Sequence, residues 1–155
     1  MIDIAQLQSY FARDRVFVTA HAAERFRQRG IRAKDIRHAV TTGEIIEQYP
    51  DDYPYPSCLI LGKNEQLQPI QRQERSKFDM NCLVCKSGTM HEATETYFAN
   101  LKNGYLIIEN VPCWKCDQCG EVVFSTSVLE KIDSLIESLQ NVSSKIFLLD
   151  YATAA

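Results

Sequence analysis

The sequence predicts an α+β protein: a small helical and stranded part comes first, and a cysteine-flanked β-hairpin with one amphipathic helix follows. Three observations support this fold class. Two Cys-x-x-Cys pairs are separated by 30 residues. Two runs rich in β-branched and aromatic residues lie between those pairs, as in a hairpin. An apolar stripe at helical spacing follows the second pair.

The two pairs predict one structural Zn²⁺ bound by Cys82, Cys85, Cys116 and Cys119. A Cys-x-x-Cys turn brings two thiolates to one ion, and two such turns supply the four tetrahedral sulfur ligands that Zn²⁺ prefers. Gly120 follows the second pair, where the backbone must turn tightly and a Cβ would crowd it. Four protein ligands leave no coordination position open for a catalytic water, so the predicted role is structural.

Disulfides or a thioredoxin-like redox pair are the alternatives for these cysteines. The first ten residues lack the basic and apolar regions of a secretory signal, so the protein is expected in the cytoplasm. Thiols stay reduced there, which favours a metal over disulfides. No apolar run approaches the roughly 18 residues of a membrane span. Cys113 and Cys116 form a second, overlapping Cys-x-x-Cys, so Cys113 stays open as an alternative ligand; Gly120 favours Cys116 and Cys119.

The hairpin is predicted from residues 92–101 and 105–111, joined at Asn103 and Gly104. An Asn-Gly dipeptide favours a tight turn because both positions tolerate positive φ. Pro112 cannot donate to a ladder and is predicted to end the second strand.

The residues after the second pair predict a strand, a helix and a last strand. Residues 122–124 are apolar and short, and Ser127 with Glu130 matches a capping box at a helix start. The apolar stripe then continues to about Gln140; its members are Val128, Leu129, Ile132, Leu135, Ile136 and Leu139. This stripe is expected to pack on the hairpin, with a homodimer or partner surface as the alternative. Residues 145–151 could add a strand to an open sheet edge.

The first part predicts three helices and three strands. Helices are expected over residues 2–14, 19–31 and 34–42, with glycines ending the last two at Gly30 and Gly43. Strands are expected at residues 16–18, 44–49 and 57–61. The inward-facing residues of the second and third helices are predicted to be Ala22, Ala23, Phe26, Ile36, Ala39 and Val40.

Charge divides the chain. Residues 1–79 hold 12 Lys+Arg and 11 Asp+Glu, a net charge of +1, whereas residues 80–155 hold 5 and 9, a net charge of −4. All nine arginines precede position 80. Residues 63–79 are polar and glutamine-rich without clear apolar periodicity, which indicates a linker. The predicted organisation is therefore a domain at 1–62, a linker at 63–79 and a zinc domain at 80–155.

Residues 13–37 carry a net charge of +5, and His21, Arg25 and Arg29 share one helical stripe there. One interpretation is an RNA-contacting surface with His21 as a general acid or base. The other is a solvated arginine face, partly paired with Glu24 and Asp35.

Residues 21–62 (HAAERFRQRGI, then DIRHAVTTGEIIEQYPDDYPYPSCLILG) resemble a small bacterial domain of unknown function that is compared with RelE- and BrnT-like ribonuclease toxins. That resemblance implies a toxin-like α+β domain. Its members continue into further strands that carry another histidine. Residues 63–79 supply neither a clear strand nor a histidine, so the domain is expected to be truncated, and no catalytic residue is assigned.

Residues 80–155 resemble the YgiT-type zinc finger found as the N-terminal domain of MqsA-like antitoxins. The matching features are the two cysteine pairs, the hairpin, the Gly-Glu after Cys119, the helix and the Asp-Tyr ending. The resemblance implies a domain that binds a toxin. The separate helix-turn-helix domain with which such antitoxins bind DNA is not among the features that match, so DNA binding of that kind is not expected.

The function expected from the sequence is therefore that of a toxin–antitoxin-related protein. Its zinc-finger part would bind a toxin-like partner in cis or in trans, since acidic and basic parts favour each other's encounter. An RNA-cleaving first part and a generic zinc-dependent interaction module remain the alternatives.

Overall fold

The structure is a computed structural model that describes residues 1–53, 55–63, 69–75, 81–142 and 145–154. Within these residues the fold is α+β, as predicted. The helices are α1 (Ile4–Ala12), α2 (Ala20–Gln28), α3 (Ala33–Thr42) and α4 (Thr126–Leu139). The strands are β1 (Phe17–Thr19), β2 (Glu44–Tyr49), β3 (Ser57–Lys63), β4 (Pro69–Arg75), β5 (Met90–Leu101), β6 (Gly104–Cys116), β7 (Val122–Ser125) and β8 (Ile146–Asp150).

The first three helices agree with the sequence prediction. Thr19 caps α2 by accepting a hydrogen bond from the Ala22 N–H, at 3.1 Å, and Gly30 follows the helix with φ of +69°. Such a left-handed residue is how a helix commonly ends. The predicted core residues of α3 are all buried, and they pack with α1 and β3. Gly62 lets β3 approach α3 closely, because a Cβ there would lie 2.6 Å from the Cα of Ala39.

A three-stranded antiparallel sheet of order β2-β3-β4 follows these helices. β4 pairs with β3 along its full length, from Ser57 opposite Arg75 to Lys63 opposite Pro69. The prediction that residues 63–79 contain no strand is therefore wrong. Residues 69–75 (PIQRQER) have two adjacent apolar residues followed by five polar ones, so their sequence shows no strand alternation, and the strand is recognised only by its pairing with β3. The rest of the predicted linker lies mostly outside the described residues.

The second sheet is built on the predicted hairpin of β5 and β6, with the order β1-β7-β6-β5 and β8 also on β6. Leu101 pairs with Gly104, so the turn residues are Lys102 and Asn103. The predicted Asn103-Gly104 turn is thus displaced by one residue. Gly104 instead permits close approach of another segment, since its Cβ would lie 2.9 Å from the Cα of Lys145.

Pro112 does not end β6, contrary to the prediction, because the strand continues to Cys116. Pro112 pairs with Thr94 in a stretch of β6 between the residues that pair with β8 and those that pair with β7. A proline is tolerated where no neighbouring strand needs its N–H. Just before it, Asn110 has φ of +57°, and the β5–β6 register shifts there. β6 therefore contains a bulge that bends the hairpin.

Helix α4 covers the inner face of this sheet with the predicted apolar stripe, four of whose members are buried. Its start differs from the prediction. The N-cap is Ser125, whose hydroxyl accepts from the Val128 N–H at 3.4 Å, and Ser127 binds Asp14 instead. The predicted capping box at Ser127 and Glu130 is therefore wrong, because Ser127 has a partner from the first part of the chain.

The predicted last strand exists as β8, and it pairs in parallel with β6, as expected for an open edge. Tyr151 continues the pairing by donating its N–H to the Glu109 carbonyl, at 3.0 Å. Asp150 accepts hydrogen bonds from the Asn110 side chain at 2.6 Å and from the Ala152 N–H at 2.9 Å. The Asp-Tyr ending therefore fastens the last strand to the bulge of β6.

The two parts of the chain share one sheet and one core. β1 pairs antiparallel with β7, with Phe17 opposite Ser125 and Thr19 opposite Val123. Val18, Ala23 and Ala33 are buried in the same cluster as the inner faces of β5, β6 and α4. Whether residues 1–62 and 80–155 fold as separate domains stays a prediction.

Candidate metal centre

The first cysteine pair lies in a tight turn between an isolated bridge at Asn81 and the start of β5. The Val84 N–H donates to the Cys82 sulfur at 3.4 Å, and the Gly88 N–H donates to the Cys85 sulfur at 3.3 Å. The Lys86 N–H closes the turn on the Cys82 carbonyl at 3.0 Å, with φ of +65° at Lys86. The two thiols therefore point to one side.

The second pair repeats this geometry at the end of β6. The N–H groups of Gln118 and Cys119 donate to the Cys116 sulfur at 3.4 and 3.5 Å. The Gly120 N–H closes the turn on the Cys116 carbonyl at 3.2 Å, and Gly120 has φ of +73°. Gly120 therefore supplies the tight turn that the sequence predicts, but a Cβ there would meet no atom within 4 Å, so the predicted crowding is wrong.

The structure brings the four predicted ligands together, with all sulfur atoms within 4.8 Å of one another. The Cys82 and Cys119 sulfurs are 3.6 Å apart, and the Cys85 and Cys116 sulfurs are 3.7 Å apart. A tetrahedral ion with metal–sulfur bonds of about 2.3 Å would space its ligands by about 3.8 Å. The four cysteines could therefore hold one metal ion. That the ion is Zn²⁺ stays a prediction.

Hydrogen bonds tie the two turns to each other. The Thr89 N–H donates to the Asp117 carboxylate at 2.8 Å, and the Asp117 N–H donates to the Thr89 carbonyl at 3.1 Å. The Ser87 hydroxyl donates to Gln118 at 2.8 Å. The relative position of the two cysteine pairs is thus fixed by bonds that do not involve sulfur.

An apolar layer lies under the cysteines. Cys82 and Cys116 are buried with Met90 and Val123, and Phe17 and Trp114 pack against them. The Phe17 and Trp114 rings meet edge to face with 6.2 Å between centroids. β1 therefore extends the shell of the site from the first part of the chain, and this shell excludes water on one side.

The pKa values of Cys85 and Cys119 are shifted in opposite directions. The pKa of Cys85 is lowered to about 6, first because the backbone N–H groups of Ser87 and Gly88 donate to its sulfur. A backbone N–H of Glu121 favours the Cys119 thiolate, yet desolvation and the neighbouring cysteines outweigh it and raise that pKa to about 12. A bound cation removes this conflict, because metal coordination requires deprotonated thiols.

Cys113, the alternative ligand, lies outside this group. Its side chain is buried in the cluster under α4, opposite Ala93 of β5. Burial raises the pKa of Cys113 to about 11, so the thiol stays protonated. Strand alternation accounts for this placement, because Cys113 and Cys116 are an odd number of residues apart and face opposite sides of β6.

Gly88 is a residue of the site that the sequence reasoning missed. A Cβ at Gly88 would collide with the Cys116 sulfur and would lie 2.9 Å from the Asp117 carboxylate. The glycine therefore allows the first turn to approach the second. Gly88 stands three residues after Cys85, and Cys119 stands three residues after Cys116; in both turns the N–H at this position donates to the cysteine sulfur. This spacing is the signal that could have revealed Gly88.

The structure does not bring His21, Arg25 and Arg29 to the cysteines. All three side chains are exposed on one stripe of α2, and within the described residues none has a salt bridge. Arg27, on the adjoining face, instead bonds to Glu24 at 3.0 Å and to the Tyr97 hydroxyl of β5. The stripe is thus a separate surface.

The family described as Domain of unknown function (DUF4258) matches residues 18–126, and the chain belongs to this family. The match runs from β1 to the start of α4 and includes all four clustered cysteines. No curated protein and no solved structure matches the chain. The resemblances to YgiT-type zinc fingers and to RelE- or BrnT-like toxins stay predictions. No helix in the described part of the chain is long and apolar enough to cross a membrane.

Proposed function

We propose that this is a toxin–antitoxin-related protein in which a Zn²⁺-stabilised second part binds the basic, toxin-like first part in cis. The observation that carries the proposal is the acidic face of α4, which contacts the N-terminal half of α3. Charge complementarity of this kind favours one partner over others.

Three acidic residues of α4 make these contacts. Glu130 pairs with Arg37 at 2.6 Å, and Glu137 pairs with Arg32. Asp133, between them, accepts a hydrogen bond from the Ala33 N–H at 2.8 Å, at the start of α3. An acidic side chain is stabilised there by the unpaired amides and the dipole of the helix N-terminus.

The interface is partly desolvated. Burial raises the pKa of Asp133, against the opposing effects of the Ala33 N–H and of Arg27. Ala33 itself and Val18 of β1 are buried in the shared core. Apolar burial therefore supplies affinity, while the charged pairs select the partner.

The metal would act on this interface through the sheet. Cys116 ends β6, β7 follows it, and α4 begins directly after β7. The four cysteines fit Zn²⁺ by donor type, by number and by sulfur spacing. Zn²⁺ would supply folding free energy when bound, since the site holds β6 and the strand that positions α4.

A cleavage experiment tests the cis interaction. A protease site is introduced into residues 76–80 of the full chain, which is then cut and passed over a sizing column. We expect the two pieces to elute together with metal bound, and Glu130→Arg with Glu137→Arg to weaken their association by at least about tenfold.

Glu92→Arg is the control. Glu92 is exposed on β5, away from α3, and its substitution makes the same change from Glu to Arg at one position. The proposal fails if the cut pieces of the unsubstituted protein separate while each stays folded. It also fails if the control variant separates them as readily as the α4 variant does.

Bacterial growth tests the toxin–antitoxin part of the proposal. Induction of the unsubstituted full chain should leave growth unchanged, whereas the Glu130→Arg, Glu137→Arg variant should slow it if the first part is a restrained toxin. If the variant is soluble and its cut pieces separate, but growth is unchanged, the first part has no toxin activity. The protein would then be a metal-dependent interaction module.

RNA binding by the first part is the second candidate function. It is favoured by the exposure of His21, Arg25 and Arg29, which the acidic face of α4 leaves uncovered. Arg25→Glu with Arg29→Glu should abolish retention of a single-stranded RNA probe, and Arg13→Glu with Arg15→Glu is the control for net charge. Cleavage of that probe that persists in His21→Ala would remove the histidine from any catalytic role.

A further inference from the structure

The outer face of the β5–β6–β8 sheet carries a group of exposed apolar side chains. Along these strands the side chains alternate, with Ala99, Leu106 and Phe147 facing α4 and the residues between them facing outward. The outward set forms two adjacent rows across the strands. One row is Phe98, Ile107 and Leu148, and the other is Asn100, Tyr105 and Ile146.

The large apolar side chains of these rows are strongly exposed. Phe98 is 67% exposed, Tyr105 61%, Ile146 63% and Leu148 61%. With aromatic and aliphatic side chains of ordinary size, they present on the order of 500 Å² of contiguous apolar surface. An area of about this size is common for the largest apolar patch of a protein, which is often functional, and it is the greater part of the about 800 Å² per partner in a stable interface.

Charge is distributed unequally along the same strands. Lys102 lies exposed at the turn end of the sheet, two residues after Asn100 of the outward rows. Glu109 lies exposed at the other end of the apolar rows, next to Asp150. A surface that is basic at one end and acidic at the other is complementary to a copy of itself turned end to end.

We propose that two copies of this protein associate through the outer faces of their β5–β6–β8 sheets, with strands running in opposite directions. In this arrangement a two-fold axis lies in the plane of the interface, and the Ile146 row of one copy meets the Leu148 row of the other. The basic end of each copy then meets the acidic end of its partner. The parallel arrangement would place lysines against lysines, so charge selects the antiparallel one.

The dimer does not compete with the contacts inside the chain. The inner face of the sheet is already covered by α4, and the metal centre lies at the far end of β6 from the turn. Sheets packed face to face in this way keep their strands roughly aligned.

Sedimentation equilibrium of the metal-loaded full chain over a wide range of concentration tests the proposal. We expect a monomer–dimer equilibrium. Phe98→Ser with Leu148→Ser should raise the dissociation constant by at least about a hundredfold, since these two side chains flank Ile107 and supply much of the exposed apolar area of the patch. Ile46→Ser is the matched control, because Ile46 is an exposed apolar residue of the smaller sheet. Metal content and circular dichroism confirm that each variant is folded.

A charge exchange tests the orientation. Lys102→Glu alone should raise the dissociation constant by about tenfold, because it places like charges at both ends of the interface. Adding Glu109→Lys should restore the dimer, as the ends are then complementary again.

The proposal is overturned if the metal-loaded protein stays monomeric at every concentration. This holds even if the same face binds lipid vesicles or a foreign protein. A dimer that survives Phe98→Ser with Leu148→Ser overturns it as well, since association would then use another surface. Failure of Glu109→Lys to rescue Lys102→Glu would overturn the antiparallel arrangement.

Discussion

At the metal centre, the positions next to the cysteine sulfurs accept only some residues. Cys116 illustrates this: its sulfur accepts hydrogen bonds from the N–H groups of Gln118 and Cys119, and a Cβ at Gly88 would collide with it. The cysteine pattern alone therefore understates the requirements of the site.

Cys116→Ala should abolish stoichiometric Zn²⁺ binding and destabilise the metal-loaded protein by more than about 4 kcal/mol, as loss of a structural metal does. Cys113→Ala should leave one ion per chain, because that thiol faces the core. Metal analysis after dialysis measures both. Loss of the ion from the Cys113 variant would indicate that Cys113 is a metal ligand.

Gly88→Ala should weaken Zn²⁺ affinity by about ten- to a hundredfold, the range seen when groups behind metal ligands are altered. The added methyl would collide with the Cys116 sulfur. Gly120→Ala is the comparison, since it adds a methyl that meets nothing and costs only the about 1 kcal/mol of a left-handed backbone. Competition with a chromophoric chelator measures the affinities, and equal losses in both variants would contradict the steric account.

The Cys113 thiol should make the protein less stable in alkali. Its folded pKa of about 11 lies above the ordinary thiol value, so the folded state holds the proton more tightly. That stabilisation is complete below the unfolded pKa and is lost as pH rises from there towards 11. Urea unfolding from pH 7 to 10 should show a smaller alkaline loss for Cys113→Ala than for the unsubstituted protein. Equal losses would mean that the pKa of Cys113 is the same in the folded and unfolded states.

At the scale of elements, the bulge of β6 connects the hairpin to the last strand. Asn110 supplies both the positive φ of the bulge and a hydrogen bond to Asp150, of 2.6 Å. This bond is the first cause of the lowered pKa of Asp150. One residue thus serves backbone conformation and strand attachment together.

Two substitutions separate these roles. Asn110→Gly keeps the backbone conformation and loses only the hydrogen bond, so we expect a loss of about 1 kcal/mol in unfolding free energy. Asn110→Ala adds left-handed strain and should lose about 2 kcal/mol in total. Urea denaturation at neutral pH distinguishes them, and an Ala variant as stable as the Gly variant would show that the bulge relaxes.

The elements that the sequence predicts well are those with strong local signals. Gly30 and Gly43 mark the ends of helices, and the apolar stripe of α4 has the helical period. The cysteine spacing predicts which sulfurs come together. β4 escaped prediction because its polar residues are defined by pairing with β3 rather than by burial.

Features set by distant contacts were also misplaced. Ser127 matches a capping pattern, yet Asp14 binds it from 113 residues away and Ser125 takes the cap. Gly104 matches a turn pattern, but it serves the approach of Lys145. The local sequence carries no information about partners that are distant along the chain. Predictions from local patterns therefore fail where such a partner decides the structure.

At the scale of the whole molecule, the shared core predicts one cooperative unfolding transition. Val18 and Ala33 are buried together with Ile108 and Ile132, so neither part of the chain keeps its core when the other unfolds. Circular dichroism and Trp114 fluorescence should therefore change at the same urea concentration. Two separate transitions would instead support independent domains at 1–62 and 80–155.

Chelation of the metal should lower the midpoint of that transition for both probes. The ion binds the folded site and contributes its binding free energy to the folded state. Titration of urea with and without a strong chelator measures the shift. An unchanged midpoint would mean that no ion is bound or that the site forms equally well without it.

The pairing of β1 with β7 also has a consequence for the order of events in time. The cysteine turns close a loop of only 37 residues between Cys82 and Cys119, whereas Asp14 and Ser127 close one of 113. Short loops close at a lower entropic cost and usually sooner. We therefore expect the metal-holding hairpin to form early. The edge of β7 then stays unpaired until β1 pairs with it. During that interval the newly made chain offers an unpaired strand to any neighbour, and a supply of metal that lags behind synthesis would lengthen the exposure.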